Sequence, residues 1–461
     1  GFPVAEIFEK QGRSRAFTRE GAGLSPGAAG APCAPGAPAA AARMTQAVAS
    51  EAGWALRAGD HRRSLFFAAT GSADPGVSLP EPSPHPLRLP DPASALDLSP
   101  ELAHDLTPDL AADPAAERAG GPWWTAEGFD APLATESAAA TLLAEIEREL
   151  RRELPESRLV TARLEDGASE WTLLSTTGLR AESRARAAFL RLEVEDRGRR
   201  CRFEGAEREI RQFEPRALAL RLVDRLCALE GGRDGASAGP GVSPDLPLLL
   251  AAPLAARLVQ AIAPLFLGPA ASARLAAITA SAASFPGLTL IDDGRLPGGA
   301  LVSPVDGEGL PCGRTLLLDE GRFVQPLLAW WEAGGGAVPG CARRASWRDL
   351  PRRAPTHFFI PPSTTPVADL LEAGGAGAYL LDAEGAVRID PASLAFEVAV
   401  SGLLLSSGRA IAPLGRVRLC GDLGSLLAGL RALARDLSFV PGDGMFGAPS
   451  MLVSGLRLLP A

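Results

Sequence analysis

The sequence predicts an α+β fold: an N-terminal α+β domain with an antiparallel sheet, then a β-rich C-terminal domain with a few packed helices. Three observations predict it. Short apolar runs with polar alternation, bounded by Gly, Asp and Pro, recur along most of the chain, as half-buried strands do. Only a few segments repeat apolar residues at helical spacing instead, among them 137–153, 215–229, 253–267 and 422–437. Residues 230–244, EGGRDGASAGPGVSP, have the composition of a linker and divide domain 1–229 from domain 245–461.

In chain order, 6–19 reads as an exposed edge strand and 44–53 as a short connecting element. Residues 54–70 read as two strands joined at Ala58-Gly59-Asp60. The Gly/Ala/Pro stretch 21–43 is expected as a flexible insertion, because it has too little large apolar surface to order itself. Residues 74–121, rich in Pro, Asp and Ala, read as a surface-wrapping linker, with Trp123 and Trp124 as anchors at its end. Helix 137–153 aligns Ala140, Leu143, Ile146 and Leu150 on one face. Strands at 157–165, 170–176 and 185–195 follow as a meander, with turns at Asp166-Gly167 and Gly178. Residues 203–213 form a further strand or loop, and helix 215–229 carries Leu218, Leu222, Leu226 and Leu229.

The second half opens with strand 246–251, helix 253–267 and a further helix at 272–281. Strands 288–291 and 315–318 flank a long loop, and 334–355 is Gly/Arg-rich loop. Strand 356–360 is followed by a short helix capped by Thr365, with Pro366 first and Gly374 past its end. Residues 378–382 and 386–389 read as a hairpin about Glu384-Gly385. Strands 394–400, 403–406 and 415–419 continue the sheet. Asp422 caps a helix whose leucines run to Leu437, and 451–459 closes the chain as one strand.

The composition excludes several functions. A net charge of −8 gives no electrostatic footprint for nucleic acid. Segment 246–273 is apolar enough to imitate a membrane span, but Arg257, Gln260 and four prolines interrupt it, so a buried strand and helix are expected. The six cysteines show no C-x-x-C spacing and the first residues no signal-peptide pattern, which points to a reducing cytoplasm. Lys10 is the only lysine among 46 lysines and arginines.

Two literal motifs lack their context. Gly235-Ala-Ser237-Ala-Gly239 sits in the linker rather than at a nucleophile elbow. Gly442-Asp-Gly444-Met-Phe-Gly447 precedes a strand, with no helix N-terminus for a pyrophosphate. The four histidines, 61, 85, 104 and 357, show no zinc spacing, and His357 reads as a hydrogen-bonded structural residue. The loop between strands 288–291 and 315–318 remains, with Asp292, Asp293, Asp306, Gly307, Glu308 and Gly309. Its carboxylates are of a type that holds a divalent cation or acts as acid and base. They equally suit a loop pinned by its own side chains, and that structural reading is preferred because no histidine or aromatic site accompanies them.

That loop and the chain beyond it resemble the TldD/PmbA (TldE) family. The resemblance rests on the Asp292-Asp293 pair, the S-P-V-D-G-E-G of 303–309 before an R-T-L-L-L strand, and the turn Glu320-Gly321. It rests also on R-V-R-L-C-G-D-L-G at 416–424 and A-P-S-M-L-V-S-G-L at 448–456. It is strong from about residue 246 onward and looser before, where 6–19 and G-W-A-L-R at 53–57 carry it. In that family the TldD-like subunit is a zinc peptidase whose ligands are the histidines of an H-E-x-x-x-H helix and a late cysteine. Here helix 253–267 offers Leu254, Ala255, Arg257 and Leu258, and 440–447 has Asp443 but no cysteine. Segment 21–43 and Pro391-Ala-Ser-Leu394 also depart from the family pattern. The resemblance therefore implies the PmbA/TldE type: a bacterial, cytoplasmic, metal-free subunit that dimerises with a zinc-bearing TldD-like partner, or with itself, and helps enclose extended peptide. Two other readings stay open, a hydrolase using a carboxylate-bound cation and a stand-alone homodimeric peptide-binding scaffold.

Overall fold

Strands as long as the first two need a partner along their whole length, and they find it in each other. In the computed structural model, β1 (Val4–Glu20) and β2 (Arg43–Gly59) pair antiparallel from Val4↔Gly59 to Glu20↔Arg43. Residues 44–53, expected as a connecting element, are therefore strand. Their Ala, Ser, Thr and Gln side chains give no apolar contrast, and Val48 is exposed. The structure describes residues 4–20, 43–59, 64–70, 123–125, 129–175, 180–230, 246–271, 275, 288–303, 305–329, 332, 340–344, 346, 348–390 and 392–460. The expectations for 21–43, 74–121, 230–244 and 272–281 lie almost wholly outside them. So do those for His61, His85, His104 and Ser237, and for the side chains of Trp123 and Trp124.

The first sheet adds β3 (Ser64–Thr70), β4 (Trp123–Thr125), β5 (Arg158–Ser175), β6 (Arg180–Asp196) and β7 (Arg199–Glu207). Its seven strands run β3-β2-β1-β5-β6-β4, with β7 also on β6. Two helices cover one face. Helix α1 (Glu136–Glu153) is capped by Thr135, whose side chain accepts the Ala138 N–H, and has Arg151 and Arg152 at its negative end. Helix α2 (Pro215–Ala228) begins with proline, whose missing N–H costs nothing there. Their leucines meet Phe17, Leu164, Leu190 and Leu192 in one core. Asp166-Gly167, expected as a turn, lies inside β5. Asp166 is fully buried, and its Oδ2 accepts the Ala134 N–H at 2.8 Å and Arg186 Nη2 at 2.9 Å, so tertiary contacts claim the side chain that would have made the turn.

The second half walks through β8 (Leu248–Leu250), α3 (Ala252–Ile262), β9 (Leu290–Asp293), β10 (Arg314–Asp319), β11 (Arg322–Phe323), β12 (Ala342–Arg343), β13 (Arg352–Arg353) and β14 (His357–Phe359). It continues with α4 (Val367–Gly374), β15 (Gly377–Ala383), β16 (Arg388–Ile389), β17 (Ala395–Ser406), β18 (Arg409–Asp422) and α5 (Leu423–Gly429). Strands β19 (Leu430–Leu433), β20 (Ser438–Pro441), β21 (Met445–Ala448), β22 (Met451–Val453) and β23 (Arg457–Pro460) end it. An eight-stranded sheet runs β19-β22-β8-β15-β17-β18-β23, with β16 on β17. A six-stranded sheet runs β11-β10-β9-β14-β21-β20, and β12 pairs with β13 alone. Helix α3 packs on β15 of the first and on β14, β20 and β21 of the second. Leu254, Leu258, Phe266, Phe358, Val400 and Leu419 lie in the core these elements share. The architecture is α+β, as the alternation predicts.

Several boundaries differ for identifiable reasons. Helix α3 stops at Ile262, and Ala263–Phe266 is a 3₁₀ turn, because Pro264 cannot donate to the helix ladder. Pro366 is the cap of α4 rather than its first residue, and its C-terminal glycine is Gly375 (φ +54°). The hairpin about Glu384-Gly385 does not form; β15 and β16 each pair with β17. Strands expected at 394–400 and 403–406 are the single β17. The strand expected at 451–459 is broken at Gly455 (φ +78°) into β22 and β23. Helix α5, expected to reach Leu437, ends at Gly429, where a Cβ would lie 1.9 Å from the Ser454 carbonyl oxygen. The chain then extends as β19 against β22. Gly429→Ala is expected to cost about 1–3 kcal/mol through backbone displacement, read as a lower urea midpoint with unchanged slope.

Candidate functional site

Among the described residues, two large clefts carry polar side chains. The larger, about 650 Å³, lies between β7 and α2 on one side and the start of α3, β20 and His357 on the other. Its polar centre is an ion network. Arg225 of α2 lies 3.0 Å from Asp382 and 3.1 Å from Glu384, and Arg257 of α3 lies 3.1 Å from Asp382. Arg225 also donates to the carbonyls of Arg202 and Ala383, and Ser401 Oγ donates to Glu384 at 2.7 Å. Burial alone would penalise the Arg225 charge, but the two carboxylates outweigh it and raise its pKa. No sequence motif singles out these residues. The one available signal is an arginine at 225, on the leucine-bearing side of a helix, where a solvated charge does not belong.

His357 lines the same cleft with both ring nitrogens engaged. Nδ1 is 3.1 Å from the Asp293 carbonyl oxygen, and Nε2 accepts the Leu301 N–H at 3.3 Å. A carbonyl only accepts, so the proton sits on Nδ1. Burial pushes the pKa down to about 4, and the ring is neutral at pH 7.

The cleft also receives the N-terminal turn of α3. Ala252, Pro253 and Arg257 line it, at the i, i+1, i+5 spacing of H-E-x-x-x-H. None is a metal ligand, and Arg257 brings a positive charge. Asp443 is exposed and bound to Arg352 at 3.1 and 3.2 Å. Among the described residues no three His, Cys, Asp or Glu side chains gather to hold a metal ion. The described residues of this cleft do not fit the zinc that the resemblance implies for a TldD-like subunit. Gly442 to Gly447 form the turn and start of the β20–β21 hairpin, not a phosphate loop.

The six loop residues are brought together only in part. Asp292 lies in β9, buried, and its Oδ1 accepts the Thr356 N–H at 2.7 Å. Desolvation pushes its pKa up to about 7. Asp293 accepts the Arg295 N–H at 2.8 Å. Asp306 Oδ1 accepts the N–H groups of Glu308 (2.9 Å) and Leu310 (3.0 Å), and Oδ2 that of Ala342 (3.1 Å). Burial, with Glu308 beside it, lifts the Asp306 carboxyl to about 7 as well. Gly307 fits against the Ala342 carbonyl and the Arg344 N–H, where a Cβ would come within 3.1 Å of each. Gly309 takes φ +80°, and its N–H donates to the Asp306 carbonyl at 3.0 Å. Both carboxylate oxygens of Asp306 thus fasten the loop to itself and to β12. Glu308 is buried beside it.

Residues 243–459 match the PmbA/TldA metallopeptidase C-terminal domain. That C-terminal domain belongs to the PmbA/TldD family. TldE from Thermococcus kodakarensis has the same fold, with a TM-score of 0.70 and 16% identity over 99% of this chain and 97% of that one. A protein of Thermotoga maritima described as a candidate modulator of DNA gyrase aligns with a TM-score of 0.67 and 14% identity, covering 99% and 96%. A counterpart from Bacteroides thetaiotaomicron, similarly described, aligns at 0.63 and 14%, covering 100% and 95%. At such identities these likenesses establish the fold. No curated protein sequence matches the chain. No described helix of this chain is long and apolar enough to cross a membrane.

Proposed function

We propose that this chain is a metal-free, PmbA/TldE-type subunit that works in the bacterial cytoplasm beside a zinc-bearing, TldD-like peptidase subunit and helps hold extended peptides for it. The observation that carries the reading is the cleft-facing start of α3. It presents Ala252, Pro253 and Arg257 at the spacing of the family's zinc motif, with the Arg257 guanidinium tied to Asp382. A fixed cation opposes a second, divalent one at short range. Strand β20, an edge of the six-stranded sheet, lines the same cleft. An extended peptide would join such an edge through main-chain hydrogen bonds, which tolerate varied sequences.

Two measurements test this. Purified chain incubated with zinc and then desalted is expected to retain far less than one metal per chain and to cleave no unfolded protein. Stoichiometric zinc with peptidase activity in the chain alone would refute the proposal. Affinity purification from the native host is expected to recover a chain carrying H-E-x-x-x-H; recovery of a self-dimer only would favour the stand-alone scaffold.

A further inference from the structure

We infer that the second cleft, between the face of the first sheet opposite its two helices and the Asp306 loop, is a binding site for the carboxylate of a peptide segment, with Lys10 and Arg343 as its recognising groups. That the carboxylate belongs to a peptide rests on the function proposed above; that the site selects an anion rests on the cleft itself.

The cleft holds about 560 Å³. Arg15 and Arg19 of β1 bond Ala134 and Glu147 on the helix-covered side, so Phe8, Lys10, Gly12 and Ser14 face the other way. Cross-strand register places Lys10 beside Trp171, Gly12 beside Ser169 and Ser14 beside Gly167. On β6, Ala185 and Ala187 continue the row. The result is a smooth floor of small residues with an aromatic end. Phe8 and Trp171 stack there at 5.6 Å, and Arg344 lies 4.5 Å over the Phe8 ring. The Asp306 loop and β12 form the opposite wall.

Cations outnumber carboxylates in the lining of this cleft. Lys10, Arg13, Arg186, Arg343 and Arg344 line it, against Glu51, Glu165 and Asp306. Arg186 is matched by the buried Asp166 at 2.9 Å, and Asp306 is consumed by three backbone N–H groups. Glu165 is already paired with Arg163 at 2.5 Å. Lys10 feels Glu51 and Asp349, and burial still pulls its pKa down. Arg344 donates to the Gly307 carbonyl at 3.0 Å. The Arg343 side chain, half-buried, makes no hydrogen bond or ion pair among the described residues. The buried Asp292 feels its charge without bonding it, and a carboxylate entering the cleft supplies the bidentate hydrogen bonds that this half-buried guanidinium lacks among the described residues. Lys10 adds the choice of cation. A chain that otherwise uses arginine throughout keeps its one lysine here, where a compact ammonium suits a narrow floor.

That single lysine makes the test direct. Reductive methylation with ¹³C-formaldehyde keeps the charge of Lys10 and gives one side-chain NMR signal besides the α-amine. Titration with acetyl-trialanine as the free acid is expected to shift the Lys10 signal saturably, and its C-terminal amide to leave it unmoved. Acetyl-Ala-Glu-Ala amide separates the two carboxylate sources: a shift shows that side-chain carboxylates are accepted, and none restricts the site to chain termini; either outcome with the free acid bound supports the site. Arg343→Gln is expected to weaken binding at least about tenfold, as loss of a charged hydrogen bond does, with an unchanged melting temperature. Calorimetry on unmethylated Lys10→Gln should show a similar loss. Equal shifts from acid and amide, or no shift from the acid, would overturn the inference. Recovery of the zinc-bearing partner alongside that result would leave the proposed function standing.

Discussion

Arg225→Met is expected to destabilise the protein by about 3–5 kcal/mol, because it strands buried carboxylates rather than merely removing a contact. Glu384 is 5% exposed at its side chain and keeps only the Ser401 hydroxyl, while Asp382 retains Arg257. The carbonyls of Arg202 and Ala383 lose a donor too. Urea denaturation of the folded chain measures this. The double variant Arg225→Met/Glu384→Gln should recover a good part of the loss, since it neutralises the carboxylate left alone. A single variant within about 1 kcal/mol of the parent would mean that water reaches the network and that α2 is not fastened to β15 through it.

Asp306→Ala is the second large expected effect. Three buried N–H groups, of Glu308, Leu310 and Ala342, lose their acceptor, and each unsatisfied donor costs about 1–3 kcal/mol. Asp306→Asn, with one acceptor oxygen, should fall between. The same loop gives a pH signature. Asp292 and Asp306 reach about 7 in the folded chain, well above the ordinary carboxylate value of 3.8. Between those values the folded state holds protons that the unfolded state has released. Each group therefore lowers stability as pH rises, by about 1.4 kcal/mol per unit, until both states are ionised. His357, depressed to about 4, acts oppositely between pH 4 and 6.5, where the unfolded chain takes up a proton that the folded chain refuses. Together the three groups are expected to lower stability by about 1.4 kcal/mol per unit from pH 5 to 6.5, with the slope fading above pH 7. Denaturation midpoints at pH 5.5, 6.5 and 7.5 check it, and Asp292→Asn should flatten the profile.

The α+β class, the helices and most strands were legible because their apolar spacing is periodic, as in α1 and β17. What escaped was set by tertiary context. Asp166 turns no corner because Arg186 and Ala134 claim its carboxylate. Leu430 and Leu433 continue a helical spacing but lie in a strand, because β22 supplies an edge and Gly429 admits no Cβ. In the candidate site, the Asp306 loop showed in the sequence as a cluster of carboxylates and glycines. The Arg225 network and the Lys10 cleft did not, since they join residues far apart in sequence through packing that no local pattern encodes.

The place of β8 in its sheet bears on how the molecule is made. Leu248 pairs with Ala378 on one side and with Val453 on the other. The first sheet and its two helices are complete by Ala228, so that half can form while synthesis continues. Strand β8, three consecutive leucines, instead leaves the ribosome long before either neighbour exists. Closing so distant a pairing is slow, and an unpaired apolar strand invites association with other chains meanwhile. The second half is thus the part of this protein with most need of protection during its birth, and the part least able to survive the loss of β22.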